Sequence, residues 1–171
     1  MFELANLKRQ EVILMKMLAC TDGSEHSRKA LEKAAQIAGG CNIDEAAVIH
    51  VYEDKVEFSS LPLFEVGPVT RDDITPQELE RFKKLQEEEE KKREKIMAEA
   101  LKIFEKENVK ARPIIKEGHP AETILTVAEK EGFDMIVLGS RGVGGLKKVL
   151  LGSVSNAVIQ EAKNCSVTIV K

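Results

Sequence analysis

Apolar residues occur along the chain in short continuous runs, and between those runs they recur every three or four positions. The first run, VILMKMLAC at 12–20, has the length of a strand and is followed by the turn-forming pair Asp22-Gly23. Ser24 then occupies the position of a helix N-cap. The stretch SRKALEKAAQIAGG sets Ala30, Leu31, Ala34, Ala35, Ile37 and Ala38 on one helical face and stops at Gly39-Gly40. Residues 46–52, AAVIHVY, read as a second strand and 109–116, VKARPIIK, as a third. Pro113 lacks a backbone donor, which assigns that third strand to a sheet edge. Pro120 marks the first turn of another helix, with Ile124, Leu125, Val127 and Ala128 at helical spacing. DMIVL at 134–138 is a continuous apolar run of the kind buried on both faces, and a helix SVSNAVIQEAK leads into a last strand, CSVTIV.

Strands alternating with helices imply a parallel sheet, because parallel neighbours need crossover connections and these are almost always right-handed. The expected fold is α/β: an open five-stranded parallel sheet in the order 3-2-1-4-5 with helices on both faces. The irregular part is 53–108. Residues 53–75 carry Pro62, Gly67 and Pro68 and read as a surface loop. The stretch PQELERFKKLQEEEEKKREKIMAEALKIFEKEN then runs on without a breaker. At about 1.5 Å per residue such a helix reaches roughly 50 Å, against about 40 Å for a compact domain of this size, so it must protrude or bend. Its centre, QEEEEKKREK, has no apolar residue and pairs Glu87 with Lys91, Glu88 with Lys92 and Glu89 with Arg93 at i,i+4 spacing. This reads as a solvated face, with a protein-binding arm over 76–108 as the alternative.

The 171 residues suit one domain, 1–171, since a single core commonly spans about 100–200 residues. A net charge of −3 supplies no global basic field, which argues against nucleic acid and anionic membranes as partners. Lys16 interrupts the first apolar run and no small-residue cleavage site follows, so that run reads as a strand and not a signal peptide; the expected location is cytoplasmic. Cys20, Cys41 and Cys165 are odd in number and widely spaced, as reduced thiols are. His26, His50 and His119 have no metal-ligand spacing.

Ligands of an open parallel sheet bind beyond the carboxyl ends of the strands where strand order reverses, here between the first and fourth strands. The segments that meet there are Cys20-Thr21-Asp22-Gly23 and Gly139 to Ser155. The second lies within LGSRGVGGLKKVLLGSVS, 138–155, where Gly139, Gly142, Gly144 and Gly145 let backbone amides face a ligand. Gly152-Ser153-Val154-Ser155 opens a helix whose free amides suit an anion, and Arg141, Lys147 and Lys148 add positive charge. A phosphate-bearing ligand is the expectation. GxxxxGK[ST] and GxGxxG are both absent, which excludes the P-loop and the dinucleotide fingerprint.

The spacing Gly139-x2-Gly142-x9-Gly152-Ser153, after a strand ending VLGS and before a helix opened by GSVS, resembles the ATP-binding subgroup of the universal stress protein family. TDGSEHSRKALEKAAQIA, IHVYE, EGHPAETIL and FDMIVLGSRG resemble that family's signatures in the family's order, over essentially the whole chain outside 53–108. The resemblance implies the adenine nucleotide alpha hydrolase-like form of the fold, with ATP as ligand and a Mg or Mn ion held mainly by the phosphates. It implies that Asp22 contacts the adenosine part and Val51 meets the adenine ring. Gly139, Gly142, Gly152, Ser153 and Ser155 would hold ribose and phosphates, with Ser140 and Arg141 beside them. Cys20, Thr21 and Val154 complete the expected binding set. The resemblance also implies a homodimer paired through the last strand, 165–170, although Asn164-Cys165-Ser166 stands where members often have Pro-Cys-Pro.

The function so implied is that of a nucleotide-dependent sensor or switch in the stress response. A slow ATPase or phosphotransferase is one alternative, against which no general base or arginine finger is readable. A nucleotide-independent scaffold that recognises partners through the long charged helix is the other.

Overall fold

The computed structural model describes residues 15–41, 43–53, 75–142 and 151–171. Strands and helices alternate: β1 Met15–Thr21, α1 Glu25–Gly40, β2 Ile43–Tyr52, α2 Pro76–Lys106, β3 Ala111–Glu117, α3 Pro120–Glu131, β4 Met135–Gly139, α4 Ser153–Glu161 and β5 Ser166–Val170. All pairings are parallel and the order is β3-β2-β1-β4-β5, as the alternation predicts. Residues 12–14 of the first predicted strand, most of the loop expected at 53–75, and Gly144, Gly145, Lys147 and Lys148 lie outside the described residues.

The period of two in β1 divides the core between the two faces of the sheet. Met17 and Ala19 point to one side, with α1 and the C-terminal half of α2; Leu18 and Cys20 point to the other, with α3 and α4. Burying each large aliphatic side chain stabilises the fold by about 1.5–3 kcal/mol, so a central strand committed on both faces fixes the register of everything around it. α1 begins at Ser24, whose side chain accepts the Ser27 N–H, and its buried stripe of Ala30, Ala34, Ala35 and Ala38 lets the helix axis come close to the strands. β3 is an edge strand paired only with β2, and Pro113 sits opposite Val48. The sequence reading of that proline is met.

α2 is a 31-residue helix, about 46 Å long at 1.5 Å per residue, started by a capping box between Thr75 and Glu78. Met97, Ala100 and Phe104 bury its C-terminal half in the core, which makes that half the crossover between β2 and β3. The N-terminal half is largely exposed, Phe82 being buried. The charged centre departs from the expected i,i+4 pairing. Lys92 bonds Glu89 at i,i+3, Arg93 stacks over the Tyr52 ring with 4.0 Å to its centroid, and no ion pair joins Glu87 to Lys91 among the described residues. An exposed helix pair is worth about 0.3–0.5 kcal/mol, less than a cation over an aromatic face, so Arg93 takes the ring.

At the amino ends of the strands, Arg112 bonds Glu45 (2.7 Å) and Glu131, and Lys16 joins Glu45 at 3.2 Å, tying β1, β2, β3 and α3 together. Among the described residues no helix is long and apolar enough to cross a membrane, and the three cysteines are free.

Candidate functional site

β1 and β4 are the neighbours at which strand order reverses, and their pairing stops early. The last matched residues are Ala19 and Val137, two positions before either strand ends. Beyond them Cys20, Thr21, Leu138 and Gly139 floor a cavity of about 530 Å³, within the range of small-molecule sites.

One wall is the loop from β1 to α1. Thr21 Oγ1 accepts the Gly23 N–H at 3.2 Å and lies 3.3 Å from Ser27 Oγ. The Thr21 carbonyl accepts from Nδ1 of buried His50 at 2.9 Å, which fixes that ring's proton on Nδ1. Asp22 Oδ1 accepts the Ser24 N–H at 3.0 Å, an Asx-type turn that Gly23 completes at φ +78°. This turn aims the carboxylate across the cleft. A Cβ on Gly142 would stand 2.5 Å from Asp22 Oδ2, so the glycine there is what lets the two loops meet.

The opposite wall runs from Gly139 to Gly142 and resumes at Leu151. Ser140 N donates to Val170 O at 2.7 Å and Ser140 O accepts from Gly152 N at 2.8 Å, so its backbone pins β5 and α4 to the end of β4. Ser155 Oγ donates to Gly139 O at 2.8 Å, which commits that hydroxyl proton inside the fold. α4 starts at Gly152 with no side-chain cap, and among the described residues no hydrogen bond takes up its first-turn amides. Beside them Arg141 Nε is buried and has no hydrogen-bond partner among the described residues.

The glycines divide by what a side chain would meet. At Gly139 a Cβ would be 2.7 Å from the His26 backbone carbon and oxygen, so this glycine serves the close approach of β4 to α1. At Gly152 the φ is −71° and a Cβ would meet nothing nearer than 3.4 Å, so nothing within the described fold requires glycine there.

Of the residues expected from the sequence, Cys20, Thr21, Asp22, Val51, Gly139, Arg141, Gly142, Gly152, Ser153, Val154 and Ser155 line the cavity. Ser140 does not; it is buried behind the wall. The sequence reading missed Ile49, Pro120, Ile124 and Leu138, which with Val51 and Val154 make an apolar side, and also Ser27 and Leu151. Alternation along β2 puts Ile49 and Val51 on the same face, a signal that could have found Ile49. Burial pushes the Cys20 thiol far up, so it lines the floor as an inert apolar group and not a nucleophile.

A parallel sheet whose switch-point cleft has an apolar side, a carboxylate on one rim and a helix start without a side-chain cap on the other defines an α/β protein with a cleft suited to a small ligand that has both apolar and polar parts. The chain belongs to the universal stress protein family, whose model matches residues 14–171. It is 35% identical over 161 residues to the universal stress protein YxiE of Bacillus subtilis, a match covering 91% of this chain and 98% of that one. The solved structure of MJ0577, a universal stress protein of Methanocaldococcus jannaschii, is 34% identical with a TM-score of 0.62, covering 94% of this chain and 97% of its own. A universal stress protein in complex with cAMP shares the fold at 21% identity and a TM-score of 0.59, covering 92% of this chain and 96% of its own. One from Archaeoglobus fulgidus in complex with dAMP does so at 18% and 0.60, covering 93% and 99%.

Proposed function

We propose that the protein binds an adenine nucleotide, ATP with a divalent ion carried by its phosphates, in the cleft between β1 and β4, and works as a nucleotide-responsive switch in the stress response. The observation that carries this reading is the start of α4: a helix N-terminus with no side-chain cap, opened by a glycine the described fold does not need, beside the buried Arg141 Nε, which has no hydrogen-bond partner among the described residues. Helix-start amides and the Arg141 Nε–H are donors with no acceptor among the described residues, and a phosphate supplies one.

The other residues follow from the same polarity. Val51, Ile49, Ile124 and Pro120 offer an apolar face for the base, and the Asp22 carboxylate, held by the Ser24 amide, accepts from ribose hydroxyls. Ser153, exposed at the first position of α4, donates its hydroxyl to a phosphate oxygen, while Ser155 contributes its backbone amide, its side chain being bonded to Gly139. A Mg or Mn ion would offset phosphate charge that Arg141 alone cannot. These groups bind and orient; the reading assigns no residue to deprotonate a water, and sensing, not turnover, is the role proposed. The cAMP and dAMP complexes of other family members support the adenine part of the reading, since the same fold takes that ring.

The outer side of β5 is the second edge of the sheet, and pairing two copies there through 165–170 would satisfy its backbone donors and acceptors. Three free cysteines suit a reducing cytoplasm. The test is the mass spectrum of whatever small molecule leaves the purified protein on denaturation. An adenine nucleotide is expected from the native chain and none from Gly152→Leu, whose side chain would fill the phosphate position; an empty native protein that also takes up no added ATP refutes the reading.

A further inference from the structure

α2 touches the β1–α1 loop, one wall of the cleft, and the end of β2, and it does so at the junction between its buried and exposed halves. Ile96 packs on Gly23, the residue after Asp22: a Cβ placed on Gly23 would be 3.0 Å from both Cγ1 and Cδ1 of Ile96. One turn earlier, Arg93 lies over the ring of Tyr52, the residue after Val51. The Tyr52 carbonyl in turn accepts from Gly118 N at 2.9 Å, which links this end of β2 to the loop that delivers Pro120 to the cleft. None of Arg93, Ile96, Gly23 and Tyr52 lines the cavity, yet Gly23 and Tyr52 each follow a residue that does, Asp22 and Val51.

From Met97 onward the helix is fixed in the core by Met97, Ala100 and Phe104, and before Arg93 it is mostly exposed. A shift of the β1–α1 loop or of the end of β2 therefore meets a helix that is buried in the core on one side of the contact and, apart from the buried Phe82, mostly exposed on the other. We propose that α2 reads the occupancy of the cleft: the Arg93–Tyr52 and Ile96–Gly23 contacts favour the positions of the β2 end and the β1–α1 loop that hold the nucleotide, and nucleotide binding in turn steadies the exposed half of α2. The proposal rests on the nucleotide reading of the site. By linkage the coupling is reciprocal, so loosening the helix contacts must weaken binding even though they never reach the ligand. The surface whose order responds is the mixed-charge segment 76–95, and this turns ligand occupancy into a change visible to other molecules.

The test uses the full chain. ATP with magnesium is titrated calorimetrically into the unaltered protein, Ile96→Ala, Arg93→Gln and, as an exposed control on the same helix, Glu90→Gln. Hydrogen exchange over 76–96 is followed with and without saturating ATP. Arg93→Gln removes the stacking cation at the surface without opening a cavity, so it keeps the test valid if Ile96→Ala folds poorly. The expected result is an affinity lower by about fivefold or more in at least one of the two contact variants, wild-type affinity in Glu90→Gln, and slower exchange over 76–96 when ATP is bound. Unchanged affinity in both contact variants overturns the coupling while leaving the site reading intact, and equal weakening in Glu90→Gln overturns it as a general charge effect. Failure of the unaltered protein to bind ATP overturns the site reading and the coupling with it.

Discussion

Replacing Gly152 by alanine separates the two reasons a glycine can stand at the start of α4. Its φ of −71° and ψ of 163° suit any L-residue, and an added Cβ would lie 3.4 Å from Arg141 Cα and 3.6 Å from Ser140 O, ordinary contact distances. Alanine is a poorer N-cap than glycine by about 0.5–1 kcal/mol. Removing glycine's freedom from the unfolded chain returns about 0.4–1 kcal/mol. The two nearly cancel, so the ligand-free melting temperature should move by no more than about 2 °C, at roughly 2–4 °C per kcal/mol for a chain of this size. Binding responds differently. The methyl would sit 3.7 Å from Gly142 N, at the start of α4 where the phosphate is proposed to bind. Losing one charge-assisted hydrogen bond there costs about 1.5–3 kcal/mol, roughly ten- to hundredfold in affinity. Calorimetric titration with ATP and magnesium, paired with a thermal melt of the empty variant, reads both quantities. Wild-type affinity in a folded Gly152→Ala protein would refute the phosphate seat at α4. A drop of many degrees without ligand would refute the claim that the fold itself leaves room for the methyl.

Other outcomes follow from the same geometry. Gly139→Ala pushes a Cβ to 2.7 Å from the His26 backbone and should lower stability by about 1–3 kcal/mol in ligand-free denaturant unfolding; an unchanged midpoint would contradict the close β4–α1 approach. Phe104→Ala empties a fully buried site on α2 and should cost about 3–5 kcal/mol, whereas Leu85→Ala on the exposed half should cost under about 1 kcal/mol; equal losses would refute the division of the helix. The Arg112 hydrogen bond, aided by Lys16, holds Glu45 below the usual carboxylate range. Stability from this group is present above its unfolded value of about 4.3 and is lost as pH falls through the lower folded one. With the pair partly exposed the effect is about 0.5–1 kcal/mol, so Glu45→Gln should flatten the fall in melting temperature below about pH 5, and an identical profile would count against it.

The sheet was legible because each strand and helix carries its own period, and because Pro113 announced an edge and Asp22-Gly23 a turn. The polar rim of the cleft was legible for a related reason: glycines and a carboxylate at strand ends are conspicuous against an aliphatic background. The apolar side was not, since Ile49, Ile124 and Leu138 look in sequence like any core residue, and only the early parting of β1 from β4 turns them toward a cavity. Gly139 lines the cleft, and the backbone of His26 and Ser27 within 2.9 Å of its absent Cβ gives it a packing role as well, which no linear pattern encodes. The salt-bridge spacing of α2 misled for Arg93 because i,i+4 periodicity describes an isolated helix, and the Tyr52 ring belongs to a strand remote in sequence.

The account stands most directly on a thermal melt of the unaltered protein with and without ATP and magnesium. A ligand bound only by the folded state at a hundred times its dissociation constant adds about 2.7 kcal/mol, roughly 5–10 °C for this chain length. A rise of that size with ATP is the expected result. An unchanged melting temperature at millimolar ATP would contradict the nucleotide site.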